Sequence, residues 1–214
     1  MKQTRALSRL QSLGHPVFTT RDVAALLDVS PTNANKILTR LATERFIMRL
    51  TRGCWCLTKG INRLAIPEYL TAPYPAYISL QTALYHHGII SQIPAVTYAV
   101  SLARTKRHQT PMGMFSIHHM DAGFFFGYEP TGAEGIKMAV PEKALLDVLY
   151  LSPARSRLFV SLPETEIPAS FQWNLAYDML KRLKSPQRRT LVLKRLKSLQ
   201  SLKSRLSQRN TITF

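Results

Sequence analysis

The sequence predicts an α+β protein with an N-terminal winged helix-turn-helix, a mixed α+β domain and a basic helical C-terminal tail. Three observations support this class. Capped amphipathic helices precede a hairpin pattern near the start, β-branched runs alternate with helical ones in the middle, and a leucine-striped basic helix ends the chain. We expect the winged-helix domain at 1–62, a linker at 63–75, the α+β domain at 76–170 and the tail at 171–214.

Two helices with recognisable ends open the chain. The first is predicted over residues 3–13, where leucines recur at helical spacing, and Gly14 is suited to end it. Thr19, with Asp22 three residues later, has the spacing of a capping box, so a second helix begins there. This helix is expected to end near Asp28.

The third helix has one apolar face and one polar face. Ser30 followed by Pro31 is the pattern of an N-cap with proline in the first turn, and the helix is expected to run to about Glu44. No carboxylate precedes Glu44 on the polar side. That side carries Thr32, Asn33, Asn35, Lys36, Thr39, Arg40 and Thr43.

A hairpin is predicted next, because "FIMRL" and "CWCL" are β-prone runs joined by Thr51-Arg52-Gly53. Three helices and a hairpin form a winged helix-turn-helix, whose third helix fits the major groove of a DNA duplex while the hairpin reaches neighbouring phosphates or the minor groove. The competing interpretation is a small packed motif that contacts protein. Seven side chains are the candidates for contact with double-stranded DNA: Thr32, Asn33, Lys36, Thr39, Arg40, Arg49 and Arg52.

The second domain is predicted to follow a proline-containing linker that carries one short turn of structure. It opens with a helix that Ser79 is expected to cap and Gly88 to close. Strands are predicted at 95–102, 113–120 and 136–140, and the last leads into a helix that begins at Pro141.

A basic stretch between the first two strands is predicted to be a turn. One interpretation is that this turn binds an acidic partner or nucleic acid. The other is that its charges prevent a sheet edge from pairing with another strand, and the sequence supports both equally. The cations and the histidine of this stretch are Arg104, Lys106, Arg107 and His108.

The tail is predicted to contain two helices separated at Ser185-Pro186. The second one has an apolar stripe, which needs a surface to cover it: the second domain, another protein or anionic lipid. The stripe consists of Val192, Leu196, Leu199, Leu202 and Leu206.

The net charge of +17 is concentrated at the two ends of the chain. Residues 1–72 hold 11 Lys or Arg against 4 Asp or Glu, 73–170 hold 7 against 7, and 171–214 hold 11 against 1. This distribution suits a polyanion held by both ends, because phosphate contacts release counterions and give sequence-independent affinity. The alternative is a solubilising surface.

Several phrases of the second domain resemble the AbiEi-type antitoxins of abortive-infection toxin–antitoxin systems. These are "YISLQTALYHHGIISQIP", "TPMGMFSIHHM", "FFFGYE" and "MAVPEKALLDVLYL", and together with the winged helix the resemblance covers roughly residues 17–160. It implies a winged helix that represses its own operon at inverted repeats, and a second domain that neutralises a nucleotidyltransferase-like toxin. The partners would be operator DNA and a cognate toxin, and the oligomeric state stays open.

Three features depart from that family. Such sequences commonly carry glycine after the third helix, whereas this chain has Arg45, whose Cβ disfavours a left-handed cap. We therefore expect the last turn of that helix to close differently. Trp55 stands where the hairpin usually carries tyrosine, and the tail matches no motif of the family.

No catalytic residue, metal site or cofactor is predicted. Glu142, Lys143 and Asp147 lack the arrangement of a nuclease centre, the pairs at 86–87 and 118–119 lack metal-ligand geometry, and no glycine elbow surrounds Ser79. Two alternatives stay open: a nucleic-acid-processing enzyme targeted by a winged helix, and a regulator that responds to a small ligand.

The cellular location is expected to be the cytoplasm. The N-terminal stretch has no apolar segment typical of a signal peptide, and no run of the sequence is long and apolar enough to span a membrane. Cys54 and Cys56, two residues apart on one strand, are expected to be reduced and packed.

Overall fold

The computed structural model describes residues 3–132, 135–152 and 165–211, with side chains described between 4 and 203. The helices of these residues are α1 (Gln3–Gln11), α2 (Thr20–Leu27), α3 (Pro31–Thr43), α4 (Ile66–Thr71), α5 (Leu80–His86), α6 (Pro141–Leu151), α7 (Trp173–Lys181) and α8 (Pro186–Thr211). The strands are β1 (Val17–Thr19), β2 (Ile47–Thr51), β3 (Cys54–Leu57), β4 (Ala76–Ile78), β5 (Val96–Ser101), β6 (Lys106–Thr110), β7 (Gly113–His119), β8 (Tyr128–Thr131) and β9 (Ile136–Ala139).

The N-terminal unit contains the three predicted helices and the predicted hairpin, so these elements are confirmed. Its sheet has the antiparallel order β1-β3-β2, and β1 was not predicted because three residues carry too little pattern. One face of the sheet packs on the helices through Phe18, Ile47 and Trp55. The capping box of Thr19 and Asp22 is present, with both reciprocal hydrogen bonds formed.

The end of α3 corrects the prediction about Arg45. Arg45 takes the left-handed conformation, with φ at +61°. Its N–H donates to the Ala42 carbonyl at 3.0 Å, and the Phe46 N–H donates to the Leu41 carbonyl at 3.1 Å. These two bonds form a Schellman motif, which satisfies terminal carbonyls of the helix. The helix therefore ends as it would with glycine. Arg45 remains in a left-handed conformation that is unfavourable for a residue with a Cβ.

This cost gives a testable prediction. Arg45→Gly should raise the free energy of unfolding by up to about 1 kcal/mol, because glycine removes the conflict between Cβ and backbone in the left-handed region. Glu44→Gly is the matched control, since Glu44 has φ at −82° and gains nothing from glycine. Urea unfolding of the three proteins measures both changes, and a less stable Arg45→Gly variant would contradict the argument.

The second domain is built on a six-stranded mixed sheet with the order β6-β7-β5-β4-β9-β8. Strands β5 and β7 are parallel neighbours, and β6 pairs antiparallel with β7 at the sheet edge. Helices α5 and α6 pack against the sheet, while α7 and α8 pack against α6. The predicted strands at 95–102, 113–120 and 136–140 and the helix at Pro141 are confirmed.

The basic stretch predicted as a turn is instead an edge strand, so that prediction was wrong. Lys106 and Arg107 lie in β6, and Arg104 lies in the loop before it. Strand β6 contains no aliphatic residue. An edge strand does not require one, because it has a neighbouring strand on one side only and its side chains are largely exposed to water. Strands β4 and β8 were also missed, each being only three or four residues long.

The predicted linker at 63–75 carries more structure than one short turn. A 3-10 turn at Arg63–Ala65 leads directly into α4, whose Ile66 is fully buried. The Arg63 guanidinium donates to the Met114 carbonyl at 3.3 Å and lies over the Phe115 ring. This segment is therefore packed against the second domain.

The two parts of the chain meet through an apolar cluster, here called the junction cluster. Its buried members come from β1, β2, β3, α4 and β7: Val17, Leu50, Cys56, Ile66 and Phe115. The small sheet is thus covered by helices on one face and by the second domain on the other. Both cysteines are free thiols, and burial, with Cys54 nearby, raises the pKa of Cys56 to about 12.

The tail folds onto the second domain, which is one of the three outcomes considered for its apolar stripe. Val192 and Leu196 are fully buried in the core, Leu199 is half-buried, and Leu202 is exposed. Leu206 lies outside the described side chains. Among the described residues, no helix is long and apolar enough to cross a membrane.

Candidate nucleic-acid interface

The polar face of α3 is open to solvent. All five residues predicted to contact DNA from this helix are exposed: Thr32, Asn33, Lys36, Thr39 and Arg40. The opposite face anchors the helix through Ala34, Leu38 and Leu41, each fully buried. Because this buried face is apolar and fully packed, the polar face has a fixed orientation and remains available to a ligand.

The first turn of α3 adds a favourable partial charge. Ser30 caps the helix by accepting a hydrogen bond from the Asn33 N–H at 3.3 Å, and Pro31 follows it. The helix dipole gives this end a partial positive charge that favours phosphate. Thr39 donates its hydroxyl proton to the Asn35 carbonyl at 2.8 Å, which leaves the hydroxyl oxygen as an acceptor.

The two arginines of the hairpin have different surroundings. Arg52 is exposed at the tip, where Gly53 has φ at +75° as the tight turn requires. Arg49 lies over the Trp55 ring, 5.6 Å from its centroid, and its Nε donates to the Thr51 carbonyl at 3.3 Å. Trp55 is itself held by a hydrogen bond from its indole N–H to Thr20. Arg52 is therefore the more available of the two for a phosphate.

Among the described residues, the cations of α3 and of the hairpin belong to no ion pair. In the described part of the chain, the ion pairs are Lys137–Glu68, Lys143–Asp147 and Lys181–Asp178, all in the second domain or beside it. Lys36, Arg40 and Arg52 take part in none of them. Asp22 is the carboxylate near the hairpin: burial, and then its charge, raise the pKa of Cys54, and its side chain accepts a hydrogen bond from the Thr19 N–H at 2.7 Å.

The basic edge of the second domain lies beside the hairpin. Arg104, Lys106 and Arg107 are exposed, and Cα atoms of β6 come within 8 Å of β2. His108, the next residue of β6, is half-buried, and burial, with the charge of Lys106, lowers its pKa. The imidazole is therefore neutral at physiological pH, and the positive charge of this edge comes from the lysine and arginines.

The residues considered for a nuclease-like centre form a closed buried cluster. Lys143 and Asp147 form an ion pair, and both are fully buried. Asp147 also accepts hydrogen bonds from the Tyr77 hydroxyl at 2.9 Å and the Ser79 hydroxyl at 2.7 Å. This role of Ser79 was not predicted, because a serine between a strand and a helix is expected to cap the helix. The Ser79 hydroxyl makes no capping bond to α5.

Aromatic rings complete this buried cluster. The Lys143 ammonium lies 4.3 Å from the Phe124 ring centroid and 5.4 Å from the Phe126 centroid. Gly127 has φ at +74°, and a Cβ there would come within 3.1 Å of the Lys143 side chain. Three phrases that carry the family resemblance thus meet at one point: "YIS", "FFFG" and "PEKALLD". The signal available in the sequence was a Lys/Asp pair four residues apart in a helix whose remaining residues after Glu142 are apolar or aromatic.

The other residues considered for catalysis or metal binding also have hydrogen-bond partners within the protein. Glu142 is buried and accepts a hydrogen bond from the Gln172 N–H at 2.7 Å. His118 and His119 are successive residues of β7 and point to opposite faces of the sheet: His118 is buried and its Nε2 lies 2.9 Å from the Ser116 hydroxyl, while His119 is exposed. Burial, with a smaller effect of Arg107, lowers the pKa of His118 to about 4.

Within the described residues, no three His, Cys, Asp or Glu side chains are grouped so that they could hold a metal ion. In comparisons with known proteins, neither a family model nor a curated sequence matches this chain significantly.

Proposed function

We propose that this chain is a DNA-binding transcriptional autorepressor that also acts as an antitoxin. The N-terminal unit serves as a winged helix-turn-helix, with α3 in the major groove and the β2–β3 hairpin on the flanking phosphates. The observation that carries the proposal is the exposed, carboxylate-free face of α3, held by a fully buried apolar face.

The roles of the α3 side chains follow from their chemistry. Asn33 and Lys36 carry donors that can reach purine edges, while Thr39 and Arg40 lie further along the helix and suit phosphate. Arg52 at the hairpin tip adds a flanking phosphate contact. The antitoxin activity rests on the resemblance to AbiEi-type proteins, and a nucleotidyltransferase-like toxin encoded beside this chain would be its partner.

Lys36→Ala is the central test of base recognition. It should weaken binding to the inverted repeats upstream of the chain's own reading frame by about 5- to 150-fold, which corresponds to about 1–3 kcal/mol for one base contact. The affinity for random-sequence duplex should fall much less, because Lys36 is proposed to contact a base edge. Loss of a phosphate contact would instead lower the affinity for all sequences equally. Fluorescence anisotropy with both duplexes measures the difference.

The matched control is Lys194→Ala, which removes one exposed lysine from α8. It should leave the ratio of operator to random binding unchanged. Equal loss on both duplexes for Lys36→Ala would mean that α3 touches only phosphates, and failure of the unaltered protein to bind duplex DNA would overturn the proposal. Co-expression with the neighbouring toxin gene tests the antitoxin activity separately.

A further inference from the structure

Two edge strands from different sheets lie side by side, and both carry unpaired positive charge. Strand β2 lies at one edge of the small sheet, and β6 lies at one edge of the large sheet. Their Cα atoms approach within 8 Å, yet the two strands belong to separate hydrogen-bonded sheets. Leu50 of β2 and Phe115 of β7, the strand that pairs with β6, both belong to the junction cluster.

The charges along this double edge have one sign. Strands β2, β3 and β6 contain no Asp or Glu, and neither does the loop that leads into β6. Arg104, Lys106 and Arg107 are all exposed and belong to none of the ion pairs formed by the described residues. Like charges gathered on neighbouring edges repel one another, so this surface is suited to a polyanion that passes across both.

The loop that carries Arg104 is held in place from both ends. The Ser101 hydroxyl accepts a hydrogen bond from the Ala103 N–H at 3.0 Å, and the His119 N–H donates to the Thr105 hydroxyl at 2.9 Å. A cation on such a loop loses little freedom when it binds a phosphate. The register then places Arg107 opposite Ser116 and Lys106 opposite Ile117, so the two side chains leave β6 on opposite faces of the edge.

We propose that β6 and the loop before it form a second phosphate-binding surface, which contacts the DNA backbone just beyond the hairpin. This inference rests on the proposed function and extends it: the duplex bound by α3 and Arg52 continues along the edge of the second domain. Phosphate is the proposed ligand because two arginines and a lysine are exposed within residues 104–107 and no carboxylate lies among them.

The test compares two double variants with equal loss of charge. Lys106→Gln/Arg107→Gln removes two cations from β6, and Lys194→Gln/Lys197→Gln removes two exposed cations from α8. The probe is a mixed-sequence duplex of about three helical turns, measured over a range of salt concentrations. The β6 variant should bind about tenfold more weakly, and the slope of log affinity against log salt should fall by about 1.8, as expected for two lost phosphate contacts.

The α8 variant should keep the affinity and the slope of the unaltered protein. Hydroxyl-radical footprinting on the operator duplex, where the binding register is fixed, gives an independent readout, since sugar protection on one side of the hairpin contact should disappear only in the β6 variant. All four replaced side chains are exposed, and equal melting temperatures confirm that both variants are folded.

Each outcome decides the inference. An unchanged β6 variant, or equal losses in the two variants, overturns it while the proposed function stands on the Lys36→Ala result. If the unaltered protein does not bind the duplex, both fall. A β6-specific loss combined with an unaltered operator preference supports both.

Discussion

Lys143→Met should lower the free energy of unfolding by about 3–5 kcal/mol at neutral pH, because it removes one partner of a buried ion pair. The substitution leaves Asp147 fully buried without its cation. Tyr77 and Ser79 still donate to the carboxylate, but neutral donors do not compensate a buried charge. Chemical denaturation monitored by circular dichroism measures the loss.

The loss should depend on pH in a defined direction. Burial raises the pKa of Asp147, and the Lys143 charge counteracts this shift, so the pKa rises further in the variant. A group whose folded pKa is raised binds its proton more readily in the folded state, so stability falls as pH rises through that pKa. Relative to the unaltered protein, Lys143→Met should be less destabilised at about pH 5 than at about pH 8.

Two controls separate charge from packing. Lys143→Met/Asp147→Asn removes the carboxylate and should lose the pH dependence. Lys181→Met breaks the Lys181–Asp178 pair, which is exposed, and should change stability by no more than about 0.5 kcal/mol. A Lys143→Met variant that loses as much at pH 5 as at pH 8 would show that the buried charge of Asp147 is not the cause.

Local chain chemistry was enough to predict most of the N-terminal unit. The capping box at Thr19, the Ser30-Pro31 start of α3 and the glycine of the hairpin are each decided within four residues. The orientation of α3 could also be predicted, because the spacing of Ala34, Leu38 and Leu41 defines the buried face. Its exposure is a fact of the structure, and its contact with DNA stays a prediction.

The errors concern features that neighbours in space decide. Strand β6 has a polar, basic sequence and is a strand because β7 supplies its hydrogen bonds. Ser79 follows a strand and precedes a helix, where a cap is the local expectation, but a carboxylate 68 residues later takes its hydroxyl. Arg45 holds a left-handed conformation because the Schellman bonds of α3 outweigh its preference. No pattern along the chain contains this information.

The relation between the two parts of the chain was also beyond sequence reasoning. Residues 63–75 have the prolines of a linker, and only packing makes them a fixed connection, with Ile66 buried beside Phe115. The consequence is functional, because a fixed connection holds the β6 cations at a constant distance from the hairpin. A flexible linker would leave the two basic surfaces independent.

Phe115→Ala tests this fixed connection and should cost about 3–5 kcal/mol, since the ring is fully buried and its removal leaves a cavity between β2, β7 and α4. The matched control is Phe46→Ala, because Phe46 is 45% exposed and should contribute little. Both proteins are unfolded in urea beside the unaltered chain.

The two tryptophans allow each part to be followed by itself. Trp55 is buried in the N-terminal unit and Trp173 is half-buried in the second domain. With Trp173→Phe the fluorescence reports the first part, and with Trp55→Phe it reports the second. The two transitions should coincide with Phe115 present, because the junction cluster couples the parts, and they should separate in Phe115→Ala. Coincident transitions in Phe115→Ala, with less than about 1 kcal/mol lost, would mean that the two parts are coupled by contacts other than the junction cluster.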